Sequence, residues 1–342
     1  MKRALITGAT GFLGRRLAAA LLDRGWEVSG FGRNEAVGAE LAQAGVRFIR
    51  GDLADPRQVA DACAGRQIVF HCGALSSPWG AYRDFYAGNV EGTRNVAAAC
   101  LAHRVERLVH VSTPSLYFDY RDRLNIPESS PLPSRPANYY AATKRMAEQI
   151  VNEAFASGLP SVIVRPRAIF GLGDRTLLPR FIRANEQGGI PLFRGGNIRM
   201  DLTYVDNVVH ALLLCASAPE SALGAAYNIT NREPALFIDV LRRLFEALGK
   251  PLRLRPLPYP VAYGLAGFLE WKTRLLRSDA EPLLTRYSVG LLGKHQTLDT
   301  SLAEEKLGYS PVVGLEEGLE RYASWWNRNE RQSNERQSNE RQ

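Results

Sequence analysis

Lysine is nearly missing from this chain. Of its 43 Lys and Arg residues only six are lysines, at positions 2, 144, 250, 272, 294 and 306. The net charge of +8 is therefore an arginine excess, and it is scattered rather than gathered into the one-faced blocks that nucleic-acid binding needs. No nucleic-acid partner is expected. Cysteine is sparse as well: Cys63, Cys72, Cys100 and Cys215 form neither a CxxC pair nor a metal-ligand spacing. They read as buried thiols in a reducing compartment, and no metal site is expected. No stretch approaches the roughly 18 unbroken apolar residues of a spanning helix, and Met1 leads straight into an apolar strand without a cleavable signal. The expected localisation is cytoplasmic.

What is present is a folded composition, 342 residues with 45% apolar and 23% charged, long enough for one large α/β unit or two smaller ones. Short apolar runs alternate with helical patterns. Strands are expected at Arg3–Thr7, Glu27–Phe31, Arg47–Arg50, Gln67–His71, Arg107–Ser112 and Pro160–Arg165, with helices at Phe12–Arg24, Asn89–His103 and Tyr139–Ser157. Strands separated by single helices imply right-handed crossovers and a doubly wound parallel sheet, the Rossmann plan. After Arg167 the beat loosens, with Gly and Pro scattered through Phe170 to Gly196. The expected division is a cofactor-binding domain at 1–170, a smaller interleaved C-terminal substrate domain at 171–328, with part of 200–230 returning to the first, and a disordered tail at 329–342. That tail repeats Asn-Glu-Arg-Gln-Ser and offers no apolar face.

The first strand ends in Thr7-Gly8-Ala9-Thr10-Gly11-Phe12-Leu13-Gly14. Gly8 permits a tight turn, Gly11 lets backbone approach a pyrophosphate, and Gly14 lets the helix pack close to the sheet. A helix N-terminus then meets the phosphates, and between the first strand and first helix of a βαβ unit the triplet is a specific dinucleotide signal. After the second strand, where a carboxylate would hold the ribose hydroxyls of NAD, stands Gly32-Arg33-Asn34. A charge-assisted bond from Arg33 to a 2′-phosphate is worth roughly 1.5–3 kcal/mol, about ten- to over a hundredfold in affinity. NADP(H) is therefore expected over NAD(H). Asp52, with Leu53 beside it, is placed to accept from the adenine amino group, while Asp55 before Pro56 reads as a helix N-cap. Gly73 and Ala74 close the fourth strand, where small residues let backbone face the cofactor; His71 reads as a packed strand-end residue.

Tyr140 and Lys144 stand four residues apart on one helix face. Carbonyl reduction needs a proton donor beside the developing alkoxide, and a free phenol near pKa 10 is poorly suited at neutral pH. An ammonium about 4 Å away interacts by roughly 4 kcal/mol at an effective dielectric of 20, enough to lower the phenol by about three units. Upstream, His110-Val111-Ser112-Thr113-Pro114-Ser115-Leu116-Tyr117 ends the fifth strand in a hydroxyl cluster suited to orienting a substrate oxygen.

With these residues in view, the chain resembles the extended short-chain dehydrogenases/reductases, through Thr7 to Gly14, Asp52-Leu53, Asn89 to Thr93, Val111 to Tyr117, Tyr140 to Lys144 and Arg165-Pro166-Arg167. The resemblance implies Thr113 as the catalytic hydroxyl, with Ser112 as fallback, Tyr140 as the acid and Lys144 as its partner and ribose ligand. It places Pro166 and Ile169 beside the nicotinamide and leaves Asn89 outside the catalytic set. Within the family the chain looks most like the 3β-hydroxysteroid dehydrogenase-like branch, and there like bacterial 2-alkyl-3-oxoalkanoate reductases. The expected activity is NADPH-dependent reduction of a lipophilic 3-oxo acid. A sterol dehydrogenase, an NAD-dependent sugar-nucleotide epimerase and a non-catalytic NADP-binding regulator are the alternatives. Leu257–Leu269 is a thirteen-residue apolar run followed by Trp271, Lys272, Arg274 and Arg277; as a helix it spans about 20 Å, too short to cross a bilayer. It reads equally as a lid over a long-chain substrate, with basic residues for a carboxylate or a membrane surface, and as an ordinary packed helix. Partners are therefore a lipophilic ketone or hydroxy acid, with membrane or pathway-enzyme contact, in a homodimer.

Overall fold

Seven strands form one parallel sheet in a computed structural model that describes residues 1–276 and 280–339. They are β1 Arg3–Thr7, β2 Glu27–Gly32, β3 Arg47–Arg50, β4 Ile68–His71, β5 Arg107–Val111, β6 Ser161–Pro166 and β7 Ala226–Ile229, in the spatial order β7-β6-β5-β4-β1-β2-β3. All pairings are parallel. The inner strands carry continuous apolar runs because helices cover both faces: Ala4, Leu5 and Ile6 are all fully buried, Ala4 and Ile6 in one apolar cluster and Leu5 in another on the opposite face. The chain winds outward one way through β2 and β3, then back through β4, so the crevice outside the carboxyl ends of β1 and β4 is the topological switch point where ligands bind.

The helices that serve this crevice are α1 Phe12–Leu22 and α2 Tyr139–Ala156. Beyond the sheet, strands Arg123–Ile126, Arg199–Met200, Ala235–Leu236 and Gln296–Leu298 form a four-stranded sheet. The apolar cluster of Phe170, Leu178, Ile182, Leu241, Leu244 and Tyr322 is separate from the one under β1. Helix Val205–Ala216 instead contributes Val208, Leu212 and Cys215 to the β1 cluster. Contrary to the disordered tail expected over 329–342, backbone stays helical from Leu315 through Asn339. Glu, Arg and Gln lose little freedom in a helix, and these turns extend a helix already anchored by Leu315, Leu319 and Tyr322. Residues 340–342 lie outside the described ones, as does Arg277.

Candidate active site

Gly8 adopts φ +68, a left-handed conformation that glycine tolerates without cost. A Cβ there would stand 2.7 Å from the Cα of Gly73, so the ends of β1 and β4 touch across the switch point only because both residues are glycine. At Gly14 a Cβ would come within 2.3 Å of the Gly8 carbonyl oxygen. Gly11 caps α1 without a side-chain hydrogen bond, and the first turn, which includes Phe12 and Leu13, contains no acidic residue. Unsatisfied N–H groups at an uncapped, acid-free helix start are what a pyrophosphate requires. The loop therefore fits a dinucleotide.

Thr10 packs on the end of β2, its Oγ1 3.0 Å from where a Cβ on Gly32 would lie. Arg33 follows with a side chain 79% exposed, held among the described residues by a 3.9 Å approach to Asp52. One Asp52 oxygen accepts from Ala54 N at 3.0 Å, so this carboxylate shapes its own turn. Asp55 caps the next helix as expected, accepting from Arg57 and Gln58 N. Leu53 lies against Gly73 and Gly92, exposed Ala74 follows β4, and Pro166 and half-buried Ile169 mark the end of β6. The expected cofactor residues thus share one edge of one sheet.

Asn138 caps α2 by accepting from Ala141 N at 2.8 Å, which sets Tyr140 in the first turn. The Tyr140 phenol has hydrogen-bonding neighbours in Thr113 and Ser76. Thr113 Oγ1 accepts from Ser115 N at 3.1 Å and donates to Ser115 Oγ at 3.0 Å, and that oxygen meets Tyr287 Oη at 2.7 Å. Three hydroxyls, Thr113, Ser115 and Tyr287, therefore form a hydrogen-bonded series at the carboxyl end of β5, with Thr113 acting on the Tyr140 phenol. Of the two expected alternatives it is Thr113 that acts on the Tyr140 phenol; among the described residues Ser112 Oγ is buried without a hydrogen-bond partner.

The expected lowering of the Tyr140 phenol by Lys144 is not what this geometry delivers. Burial pushes the phenol above its ordinary value, opposed by the hydrogen bonds of Ser76 and Thr113. The Lys144 ammonium turns inward instead, donating to the Val111 carbonyl at 2.7 Å and to His110 Nε2 at 3.1 Å. Burial lowers it to about 8, with Glu148 and Cys72 pulling the other way.

Beneath the site His71 behaves as the packed strand-end residue expected. It is pushed down to about 3 by burial and by Lys144, and so is neutral. Thr93 donates to the Asn89 carbonyl at 2.6 Å and accepts from His71 Nε2; the other ring nitrogen accepts from Thr7 Oγ1 at 2.7 Å. Asn89, set aside as non-catalytic, holds the site together. It accepts from Leu75 N at 2.7 Å, donates to Leu75 O at 3.1 Å and donates to Thr143 on α2 at 3.0 Å. That clamp keeps the loop carrying Ser76 beside Tyr140. It lies in a π-helical turn, Tyr86–Glu91, a feature that often marks functional sites.

A cavity of about 1330 Å³ opens beside these hydroxyls, lined by Trp79, Tyr82, Phe85, Tyr139, Tyr263 and Tyr287 among others. Helix α3, Tyr259–Leu275, borders it with Tyr263, Glu270 and Arg274, and Arg274 lies over the Trp79 ring. Its other side exposes Val261, Leu265, Phe268, Trp271 and Leu275. The apolar run read from the sequence therefore both borders a cavity and presents a bare face. Ser76 and Tyr287 were outside the expected site; neither carries a motif, and each arrives from a loop or helix far along the chain.

The sequence profile of the NAD dependent epimerase/dehydratase family matches residues 4–230. The chain belongs to this family. The extended short-chain dehydrogenase/reductase resemblance is thereby borne out. Among the family's members, the 2-alkyl-3-oxoalkanoate reductase of Stenotrophomonas maltophilia is 39% identical over 328 residues, covering 93% of this chain and 97% of that protein. The sterol-4-alpha-carboxylate 3-dehydrogenase, decarboxylating, of Mus musculus is 32% identical over 329 residues, covering 94% and 90%. A solved short-chain dehydrogenase/reductase superfamily protein from Agrobacterium tumefaciens with bound NAD superposes with a TM-score of 0.74 at 26% identity, covering 98% of this chain and 99% of that one. This family member is an NAD(P)-dependent oxidoreductase. Among the described residues no helix is long and apolar enough to cross a membrane.

Proposed function

We propose that the chain is an NADPH-dependent ketoreductase that converts a lipophilic 3-oxo acid of the 2-alkyl-3-oxoalkanoate type to its 3-hydroxy acid. The observation that carries this reading is the hydroxyl series from Thr113, which acts on the Tyr140 phenol, through Ser115 to Tyr287, which lines a large cavity. The glycine turn from Gly8 to Gly14 would hold the pyrophosphate, Arg33 the 2′-phosphate, Asp52, Leu53, Gly73 and Ala74 the adenosine side, and Lys144, Pro166 and Ile169 the nicotinamide end. Bound there, NADPH supplies the hydride. Thr113 orients the substrate oxygen by hydrogen bonding, and Tyr140 Oη gives that oxygen its proton. Ser115 and Tyr287 continue the hydroxyl chain and so offer a route for reprotonation. The exposed guanidinium of Arg33, only loosely paired with Asp52, and the lack of an acid at the end of β2 favour the phosphorylated cofactor over the NAD-retaining epimerase alternative.

The names of the two relatives share one piece of chemistry. In each, a carboxylate is borne by the carbon next to the one that carries the oxygen, which supports an acid substrate and leaves a sterol carboxylate as the second reading. The bare stripe on α3, with exposed Lys272 beside it, supports contact with an anionic membrane surface from which such a substrate would be drawn. Steady-state NADPH oxidation with 3-oxo acids, sterol ketones and sugar nucleotides tests the substrate. Tyr140→Phe should cut turnover on accepted ketones by about 10²–10⁴-fold; full turnover in that variant would overturn the assignment.

A further inference from the structure

Two arginines flank Pro166 at the end of β6, and they are placed very differently. Arg165 makes a bidentate pair with Glu148 on α2, at 2.8 and 2.5 Å, and also reaches the Tyr117 hydroxyl. Arg167 is only 6% exposed, yet among the described residues no hydrogen bond or ion pair reaches its side chain, and its Nε is fully buried without a partner. A buried guanidinium stays protonated and is expensive to keep unpaired. The carboxylate that acts on it, Asp201, is not within ion-pair distance: one oxygen accepts from Leu298 N at 2.7 Å, and the other is buried without a hydrogen-bond partner among the described residues. The other group acting on it is Tyr287, the last hydroxyl of the series that begins at Thr113.

A desolvated arginine with an unused planar fork, just past the carboxyl end of β6 and acting on the last hydroxyl of the series, is suited to receive a carboxylate. We propose that Arg167 binds the acid group of the substrate while the neighbouring keto oxygen lies between Thr113 and Tyr140. In a 3-oxo acid the two groups are separated by a single carbon, so one residue reading the acid also fixes which face of the ketone meets the hydride. Arg167 thereby sets specificity for acids over esters and simple ketones. This assignment rests on the ketoreductase reading and adds the group that selects its substrate.

The test compares wild type, Arg167→Met and Arg167→Lys on a 2-alkyl-3-hydroxy acid and its methyl ester, oxidised with NADP⁺ because the free oxo acid loses CO₂ on standing. Equilibrium binding of the acid to the NADP⁺-loaded protein is measured alongside. Wild type should favour the acid. Arg167→Met should raise KM and Kd for the acid about ten- to a hundredfold, the equivalent of one charge-assisted bond, and leave ester turnover within twofold. Arg167→Lys should recover part of the acid preference. Equal losses on acid and ester, or an unchanged acid preference in Arg167→Met, would overturn the carboxylate role while leaving ketoreduction intact. Acid binding that depends on Arg167 in a protein with no turnover would support the carboxylate role and sink the ketoreductase reading instead.

Discussion

Replacing Lys144 with Met should leave the fold standing and change how its stability depends on pH. Lys144 is 2% exposed, and burial takes its ammonium from 10.5 down to about 8. The folded-state value lies below the unfolded one, so between pH 8 and 10.5 the unfolded chain binds more protons and stability rises with pH. Below pH 8 the cost of burying the charge is present in full, and it corresponds to about 3 kcal/mol. By pH 10 roughly 2.5 kcal/mol of it should be relieved. Against this stand the two hydrogen bonds to Val111 and His110, worth about 1 kcal/mol each. Lys144→Met should therefore be about as stable as wild type at pH 7, within roughly 1–2 kcal/mol. Urea unfolding followed by tryptophan fluorescence at pH 7 and pH 10 reads the effect. Subtracting variant from wild type cancels the tyrosines, which titrate in both. Wild type should gain on the variant by about 2.5 kcal/mol between the two pH values. An unchanged difference would mean that Lys144 is not held in the desolvated place described. Reductase turnover should fall at least tenfold in the same variant, which would identify a buried lysine kept for chemistry rather than for stability.

Two further outcomes can be checked independently. Arg33→Ala should weaken NADPH binding about ten- to a hundredfold and leave NADH affinity unchanged by titration calorimetry; equal affinity for NADPH before and after would remove Arg33 from the cofactor site. The full chain should co-sediment with vesicles containing phosphatidylglycerol but not with phosphatidylcholine alone, and Phe268→Glu should abolish this by placing an acid in the bare α3 face. Loss of a dimer by light scattering in the same variant, without any vesicle binding in wild type, would assign that face to a second copy of the chain.

The fold was readable because the strands at the centre of this sheet are buried on both faces, so Ala4 to Ile6 and Leu108 to Val109 form unbroken apolar runs with helices between them. The cofactor crevice was readable for a related reason: Gly8 and Gly14 stand where any side chain would strike backbone, and such constraints recur at fixed spacing along the chain. The substrate side follows no such spacing. Ser76 is brought to Tyr140 by a clamp at Asn89, and Tyr287 is delivered from a helix whose start is set by Thr285. Lys144 shares a helix face with Tyr140, as the four-residue spacing requires, but spacing says nothing about which acceptor its long side chain finds. The Val111 carbonyl and His110 lie on β5, and only tertiary packing brings them within reach. The same limit governs α3. Its sequence reads equally as a lid or a packed helix because a lining face and a bare face can coexist on one helix, and which residue belongs to which depends on where the cavity lies. With Tyr263 and Arg274 against the cavity and Leu265 and Phe268 left bare, the helix stands between a ligand site and whatever covers its outer side. Its exposed apolar surface therefore belongs to the question of how a substrate enters as much as to how the protein folds.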